Sequence, residues 1–466
     1  MCNLLLFFFI PFFAALFIFA IPFKHPKRVA VLLSLLPLLM LPCLFGQEID
    51  FIWMKSLSIH FHLKVDTLSM VFLLLTNVIV PIALLSDRGS ALFCGLVLLL
   101  QGLLNGFFTA QDLAFFTFFW EAMLLPLYFI ISRWGSGERQ RAAYTFIIYM
   151  IVGSVFMVAA VLGLYFAAST FDIEALTKVA ELAPYAGLIA FIFLLAFAVK
   201  TPLFPFHGWL PLAYSEAPLS GTILLSAILS KAGIYGLLRI SIPFFPTLMQ
   251  AWMPYLLTLA IIGVIYGAMA AWAQTDYKKL LAYSSFSHVN FVLAGLFVWD
   301  STAQAGAIFQ AVNHAITISG LFLLAGWLEA RIGTRNMGMA GGLAVYMPRL
   351  AWLTLFFILS SVALPGLNSF VGEVLILYGV FGYSATLAAI LGLTVILSVV
   401  YMLRWMHSVY FEVASPFQAA WVDLNRKEAW LLVPLVLLVL WLGIYPMPAL
   451  SHIEAVAASI IKIGKI

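Results

Sequence analysis

AAYTFIIYMIVGSVFMVAAVLGLYFAASTF, residues 142–171, contains no acidic or basic side chain. An α-helix rises about 1.5 Å per residue, so roughly 20 predominantly apolar residues cross the hydrocarbon core of a bilayer. This stretch is long enough to do so. Comparable charge-free stretches occupy 182–199, 240–275 and 374–403. Extending the scan from them gives fourteen candidate spans: 3–22, 29–47, 67–86, 90–109, 112–132, 142–166, 186–209, 217–240, 252–273, 278–298, 303–328, 350–379, 384–408 and 429–448. The expectation is an all-α integral membrane protein.

Composition agrees with that reading. Of 466 residues, 64% are hydrophobic and 9% charged, whereas a soluble domain carries about 25% charged residues. The longest soluble pieces, 48–66 and 409–428, are too short for a globular catalytic domain. Cys2, Cys43 and Cys94 are widely spaced, without a CxxC pair. That spacing excludes a thiolate-bound iron–sulfur cluster within the chain and argues against a disulfide framework. No glycine-rich dinucleotide fingerprint accompanies them. The first apolar segment follows Met1-Cys2-Asn3 without a charged lead, which reads as a retained helix rather than a signal peptide. With the N-terminus outside, fifteen of the 23 Lys and Arg residues fall in inside loops, Arg88 among them, and six outside, including Lys465. The bias towards the inside orients both termini to the periplasm.

Against this apolar background four charges sit well within spans: Glu121, Lys200, Lys231 and Glu373. A charge near the bilayer centre costs about 2.5 kcal/mol or more, so such groups face a partner or a wet cavity. One reading is a set of buried ion pairs that fix helix packing; the other is a proton pathway. Two carboxylates and two amines on four different helices favour the pathway. Burial destabilises the charged form of each group and an opposite charge stabilises it, so an adjustable Glu–Lys distance can load and unload a proton. His288, within SSFSHVN (284–290), and His314, after Asn313, occupy otherwise uncharged spans. An imidazole accepts a proton at one nitrogen and releases one at the other; the alternative is a neutral His bonded to the next helix. No second His or Cys stands at zinc-ligand spacing.

Prolines mark two interruptions, at Lys200-Thr201-Pro202 and Pro205 in the seventh span and at Leu364-Pro365-Gly366 in the twelfth. Proline removes a backbone donor and frees carbonyls, and interrupted helices in corresponding positions mark the ion site of many transporters. Breaks five spans apart suggest two five-helix repeats, spans 4–8 (90–243) and 9–13 (244–410), inverted because the number of helices per repeat is odd. Residues 1–89 then form an N-terminal group of three spans and 411–466 carry the fourteenth.

These residues lie in strings that resemble the antiporter-like, proton-translocating subunits of NADH:quinone oxidoreductase (respiratory complex I). WEAMLLPLYFII (120–131), VKTPLFPFHGWLP (199–211) with SEAP (215–218), SKAGIYGLLR (230–239), TDYKKLLAYSSFSHVNF (275–291) and ALPGLNSFVGE (363–373) resemble that family's motifs, in order, from about 65 to 410. The Trp-Glu…Pro-Leu-Tyr form and Glu373, where related subunits have a lysine, are most similar to the M-type branch. The short stretch after span fourteen likewise implies the M-type rather than the L-type branch, which carries a long lateral helix there.

The resemblance implies Glu121 and Lys200 as a coupling pair, Lys231 as the central lysine, His288 and then His314 as relay positions, and Glu373 as the exit carboxylate. It implies a subunit of a redox-driven translocase with no cofactor of its own; NADH, FMN, iron–sulfur clusters and quinone are expected in partner subunits. The expected partners are other membrane subunits, especially related antiporter-like ones, and the lipid bilayer, with no nucleic acid. The expected location is the bacterial inner membrane. A module of a multi-subunit cation/proton antiporter or membrane-bound hydrogenase is the alternative. In the 207–218 loop the family commonly has Asp and His where this chain has Leu212 and Tyr214. Proton entry here would then use His207, Glu216 or water.

Overall fold

The computed structural model describes residues 2–87, 89–413 and 421–463; Arg88, Lys465 and the 414–420 part of the 409–428 segment lie outside the described residues. Among the described residues twelve helices are long and apolar enough to cross a membrane: Asn3–Ala20, Pro26–Cys43, Thr67–Ser86, Ala91–Thr109, Leu113–Trp134, Arg139–Ala168, Leu219–Phe244, Pro246–Ala273, Tyr277–Phe297, Ser301–Ile332, Ala385–Phe411 and Arg426–Ile444. Two shorter apolar helices, Ala186–Lys200 and Pro348–Ser361, stand at the seventh and twelfth positions. Each resumes after an interruption, in Leu210–Glu216 and in Asn368–Tyr383. The expected breaks account for both.

Helix starts in a membrane leave backbone N–H groups that lipid cannot satisfy, and this chain caps them with short acidic side chains. Asp66 accepts from Ser69 N, Asp112 from Ala114 N and Phe115 N, Asp276 from Lys278 N and Lys279 N, and Asp300 from Ala303 N. Asn425 and Glu428 form a reciprocal capping box at the fourteenth span.

Two elements depart from the expected pattern. The 48–66 segment is an antiparallel hairpin, Glu48–Met54 paired with Ile59–Lys64, turning through Ser58 at φ 53°. Among the described residues the fold is therefore helical apart from this pair of strands. After the fourteenth span a further helix, Met447–Ile463, buries Leu450, Ile453, Ala457, Ile460 and Ile461 and turns Glu454 and Lys462 outward. Its apolar positions recur at i, i+3, i+7 and i+10, an amphipathic rather than a spanning pattern.

The chain folds as two compact units, one of residues up to Thr201 with Glu216–Trp252 and the chain from Ala458, the other of Pro202–Ser215 with Met253–Ala457. In the first unit the eighth span is not a regular α-helix. Five-residue π segments, Leu225–Leu229 and Leu237–Ser241, flank the α-helical Ser230–Gly236. Gly233 and Gly236 let this span press on the end of the seventh: a Cβ at Gly233 would sit 1.9 Å from Thr201 Oγ1, and one at Gly236 would sit 2.1 Å from the Phe197 ring. The far end of the span is tied by Arg239, whose guanidinium donates to both Asp66 oxygens at 2.6 and 2.7 Å.

In the second unit the eleventh span and Asn368–Tyr383 approach through glycines, with Gly306 facing Leu375 and the Gly372 carbonyl, and Gly372 facing Gln310. Side chains satisfy the broken twelfth span. Asn313 Nδ2 donates to Asn368 O at 2.8 Å, Asn368 Nδ2 to Asn313 O at 3.2 Å, and Ser360 Oγ to Asn368 Oδ1 at 2.6 Å. Only where protein groups take up the freed polar atoms is such irregular backbone stable at membrane depth.

Candidate functional site

In the first unit the indole of Trp120 and the amine of Lys200 meet directly. Lys200 Nζ donates to the Trp120 carbonyl at 3.0 Å and lies 3.5 Å from the Trp120 ring centroid. Glu121 is the next residue, within electrostatic range of Lys200, but no ion pair joins the two among the described residues. Ser154, on the sixth span, faces the Glu121 carboxyl. Neither Ser154 Oγ nor Glu121 Oε1 has a partner in hydrogen-bonding geometry. The lysine is thus held by a carbonyl and a π face, beside a carboxylate it does not touch.

Lys231 is fully buried, and its ammonium donates to Ser226 O at 2.7 Å and to Ser230 Oγ at 3.3 Å. The π segment Leu225–Leu229 provides that acceptor, because the wider turn diverts the Ser226 carbonyl from regular i→i+4 bonding. Ser230 Oγ also donates to Ser226 O, at 3.0 Å. Sequence reading isolates the lysine but not the serines that cradle it; the i−1 and i−5 hydroxyl residues are the available signal.

In the second unit three of the singled-out residues come together. His288 Nδ1 is 3.2 Å from Glu373 Oε1, and the rings of His288 and His314 lie 5.7 Å apart, centroid to centroid. Gln310 Nε2 donates to the same Glu373 oxygen at 3.1 Å. His288 Nε2 has no hydrogen-bond partner. Both Glu373 and His314 are buried. His288 therefore touches the carboxylate on one side and the second imidazole on the other. Gln310, one turn before His314, escaped sequence reading, because a neutral amide in an alanine-rich helix carries no distinguishing mark.

The 207–218 segment divides between the units. His207, in the second, lies among Phe204, Tyr266 and Phe286 with its Nδ1 buried and unpartnered. Tyr214, at one of the two positions where the family commonly has Asp and His, packs edge-on against Trp209 and Phe322. Glu216, in the first unit, accepts from Glu138 N at 3.2 Å and Ser136 Oγ at 3.4 Å. That carboxylate braces the 135–138 turn.

Outside the spans, burial pushes the Asp66 carboxyl upward, but the charge and hydrogen bonds of Arg239 outweigh it and hold the group at about 2. Burial raises the Asp112 carboxyl above its ordinary value despite backbone donors from His60, Phe115 and Ala114.

Residues 110–399 match the family model described as NADH:quinone oxidoreductase/Mrp antiporter, TM. NADH-quinone oxidoreductase subunit M of Escherichia coli strain K12 is 37% identical over 423 residues, covering 87% of this chain and 83% of its own length. NADH-ubiquinone oxidoreductase chain 4 of Chondrus crispus is 34% identical over 429 residues, covering 90% and 87%. A chain of respiratory complex I from Thermus thermophilus superimposes with a TM-score of 0.91 at 34% identity, covering 99% of both chains.

Proposed function

This chain belongs to the family of membrane subunits shared by NADH:quinone oxidoreductase and Mrp antiporters, and from that premise we propose that it is the proton-translocating subunit of an NADH:quinone oxidoreductase. The observation that carries the reading is the contact chain His314–His288–Glu373, three ionisable groups buried within membrane-spanning helices. Packing alone gives no reason to gather them, because each is costly in lipid. Lys231 holds a proton on two hydroxyl-rich turns of its own span and is the proposed donor to the imidazole relay. The 3.2 Å approach of His288 Nδ1 to Glu373 Oε1 supports the imidazole of His288 as the last donor before the exit carboxylate.

Coupling in this proposal runs through Glu121 and Lys200. With Lys200 on the Trp120 carbonyl, Glu121 Oε1 is left without a hydrogen bond. A shift of Lys200 towards Glu121 withdraws positive charge from the neighbourhood of Lys231 and changes how tightly that lysine holds its proton. Electron transfer from NADH to quinone takes place in partner subunits and supplies the energy. The chain is an inner-membrane subunit with both termini in the periplasm, consistent with its Lys and Arg distribution.

The division into repeats, 90–243 and 244–410, is supported by two matching bridges. Asp112 caps the fifth span and pairs with Asp172 after the sixth; Asp276 caps the tenth and pairs with Asn336 after the eleventh. In both, the residue after the cap donates its N–H to the partner loop, Leu113 to Phe171 O and Tyr277 to Arg335 O.

The family model spans respiratory and antiporter complexes, so the decisive experiment is purification from native membrane. An NADH-oxidising arm is expected to accompany the chain and to drive proton uptake into reconstituted vesicles. Recovery with cation/proton antiporter subunits and no NADH oxidation would assign it to the other branch.

A further inference from the structure

The second unit contains a polar line that the relay above does not use. At one end, where the tenth span begins and the eleventh finishes, Lys278 Nζ pairs with Glu329 at 2.5 Å, and Arg335 Nε lies 3.5 Å from both Asp276 and Glu329. Lys278 is buried. Two turns further in, Ser284 Oγ and Tyr401 OH are 3.0 Å apart, joining the tenth span to the thirteenth. Ser284 is one turn before His288, and Tyr401 is within electrostatic range of Glu373. Tyr401 is fully buried, whereas the neighbouring hydroxyls of its helix bond their own backbone: Thr394 Oγ1 donates to Leu391 O and Ser398 Oγ to Val395 O.

The same helices carry buried polar atoms without a protein partner, Ser285 Oγ beside Ser284 and Trp405 Nε1. Trp405 is one turn beyond Tyr401 and stacks on Tyr277, beside the charged end, with ring centroids 5.9 Å apart. Lys278 and Ser284 are about 9 Å apart along the helix axis, a gap that a water or two bonded to such atoms spans.

We infer that Ser284 and Tyr401 are proton-relay hydroxyls, a loading route from the Lys278–Glu329 end of the second unit to Glu373. The inference rests on the proton-path reading of Glu373. In the transfer, each hydroxyl releases its own proton towards Glu373 and takes another from the side of Lys278. One O–H bond breaks as one forms, no charge accumulates on either oxygen, and Glu373 gains the proton. This route needs neither of the polar groups that Leu212 and Tyr214 replace.

The test uses the purified complex in proteoliposomes, with NADH and quinone. Ser284→Ala and Tyr401→Phe remove one hydroxyl each and keep the packing, whereas Ser284→Thr keeps the hydroxyl. Proton uptake per NADH is expected to fall on the order of 10²-fold in the first two variants and to stay at the unaltered level in the threonine variant, with complex yield unchanged in all three. Full pumping by Ser284→Ala and Tyr401→Phe, or equal loss in Ser284→Thr, would overturn the relay. Lys231→Ala in parallel separates the two readings. If it pumps normally, the underlying proton path fails; if it does not while the hydroxyl variants pump fully, only the loading route fails.

Discussion

Replacing Glu373 by glutamine is expected to stop proton delivery while leaving the helix bundle intact. The amide keeps the volume of the carboxyl and retains an oxygen for Gln310 Nε2, which now donates to Glu373 Oε1 at 3.1 Å. It cannot take up and release a proton. His288, whose Nδ1 faces that oxygen at 3.2 Å, then loses its acceptor, and a proton reaching either imidazole has nowhere to go. Loss of a positioned proton-transfer group costs on the order of 10² to 10⁴ in rate. Acidification of inverted membrane vesicles on addition of NADH measures it. Glu373→Asp tests geometry separately: it retains the titratable group but shortens the reach by one methylene, so partial activity is expected.

The second large effect is on stability and concerns the first unit. Arg239 is 14% exposed and its guanidinium is bidentate on Asp66, which is 32% exposed. Ser69 Oγ and Tyr235 OH accept its remaining bonds at 3.1 Å. Asp66→Ala removes the carboxylate, the helix cap at Ser69 and the counter-charge together. Breaking a buried pair costs 3–5 kcal/mol, and the partial exposure of Asp66 points to the lower end, about 3 kcal/mol. Thermal unfolding in detergent is the direct measurement, and Arg239→Ala should show a similar loss.

The same pair predicts a pH dependence. Asp66 is held at about 2 against an ordinary 3.8. A depressed carboxylate contributes its full stabilisation above the unfolded value and loses it as the pH falls from about 4 towards 2. The acid-induced drop in midpoint should therefore be smaller in Asp66→Ala than in the unaltered chain over that window.

Much of this architecture is legible in the sequence because lipid imposes so few solutions. Length and apolarity locate the spans, and the prolines at 202, 205 and 365 locate both interruptions. The hairpin is less visible. IHFHLK alternates polar and apolar residues, but Phe51, Ile52, Trp53 and Met54 all stay exposed, so its first strand lacks the usual period of two. Apolar spans signal membrane depth, not side-chain direction. Hence Glu121 and Lys200 read as a pair, although the long lysine side chain ends on the Trp120 carbonyl. Hence also Tyr401, one aromatic among LTVILSVVYMLRWM, reads as core until its hydroxyl is found on Ser284. The order of the imidazoles has a similar origin. Sequence reading sets His314 next to Glu373, whereas the contact that forms is between Glu373 and His288. Helix–helix register decides that contact, and no local pattern encodes it.

The account's central claim is that this chain moves protons while its partners perform the redox chemistry, and Lys231→Ala separates those tasks. Lys231 is fully buried and donates to Ser226 O and Ser230 Oγ of its own span; alanine, the strongest helix former, is expected to leave assembly intact. Two quantities measured on one preparation of the purified complex decide the matter: NADH oxidation with an artificial electron acceptor, and proton uptake into proteoliposomes with quinone. The expected result is unchanged oxidation with the artificial acceptor and no proton uptake. Proton uptake at the unaltered ratio to NADH would contradict the claim.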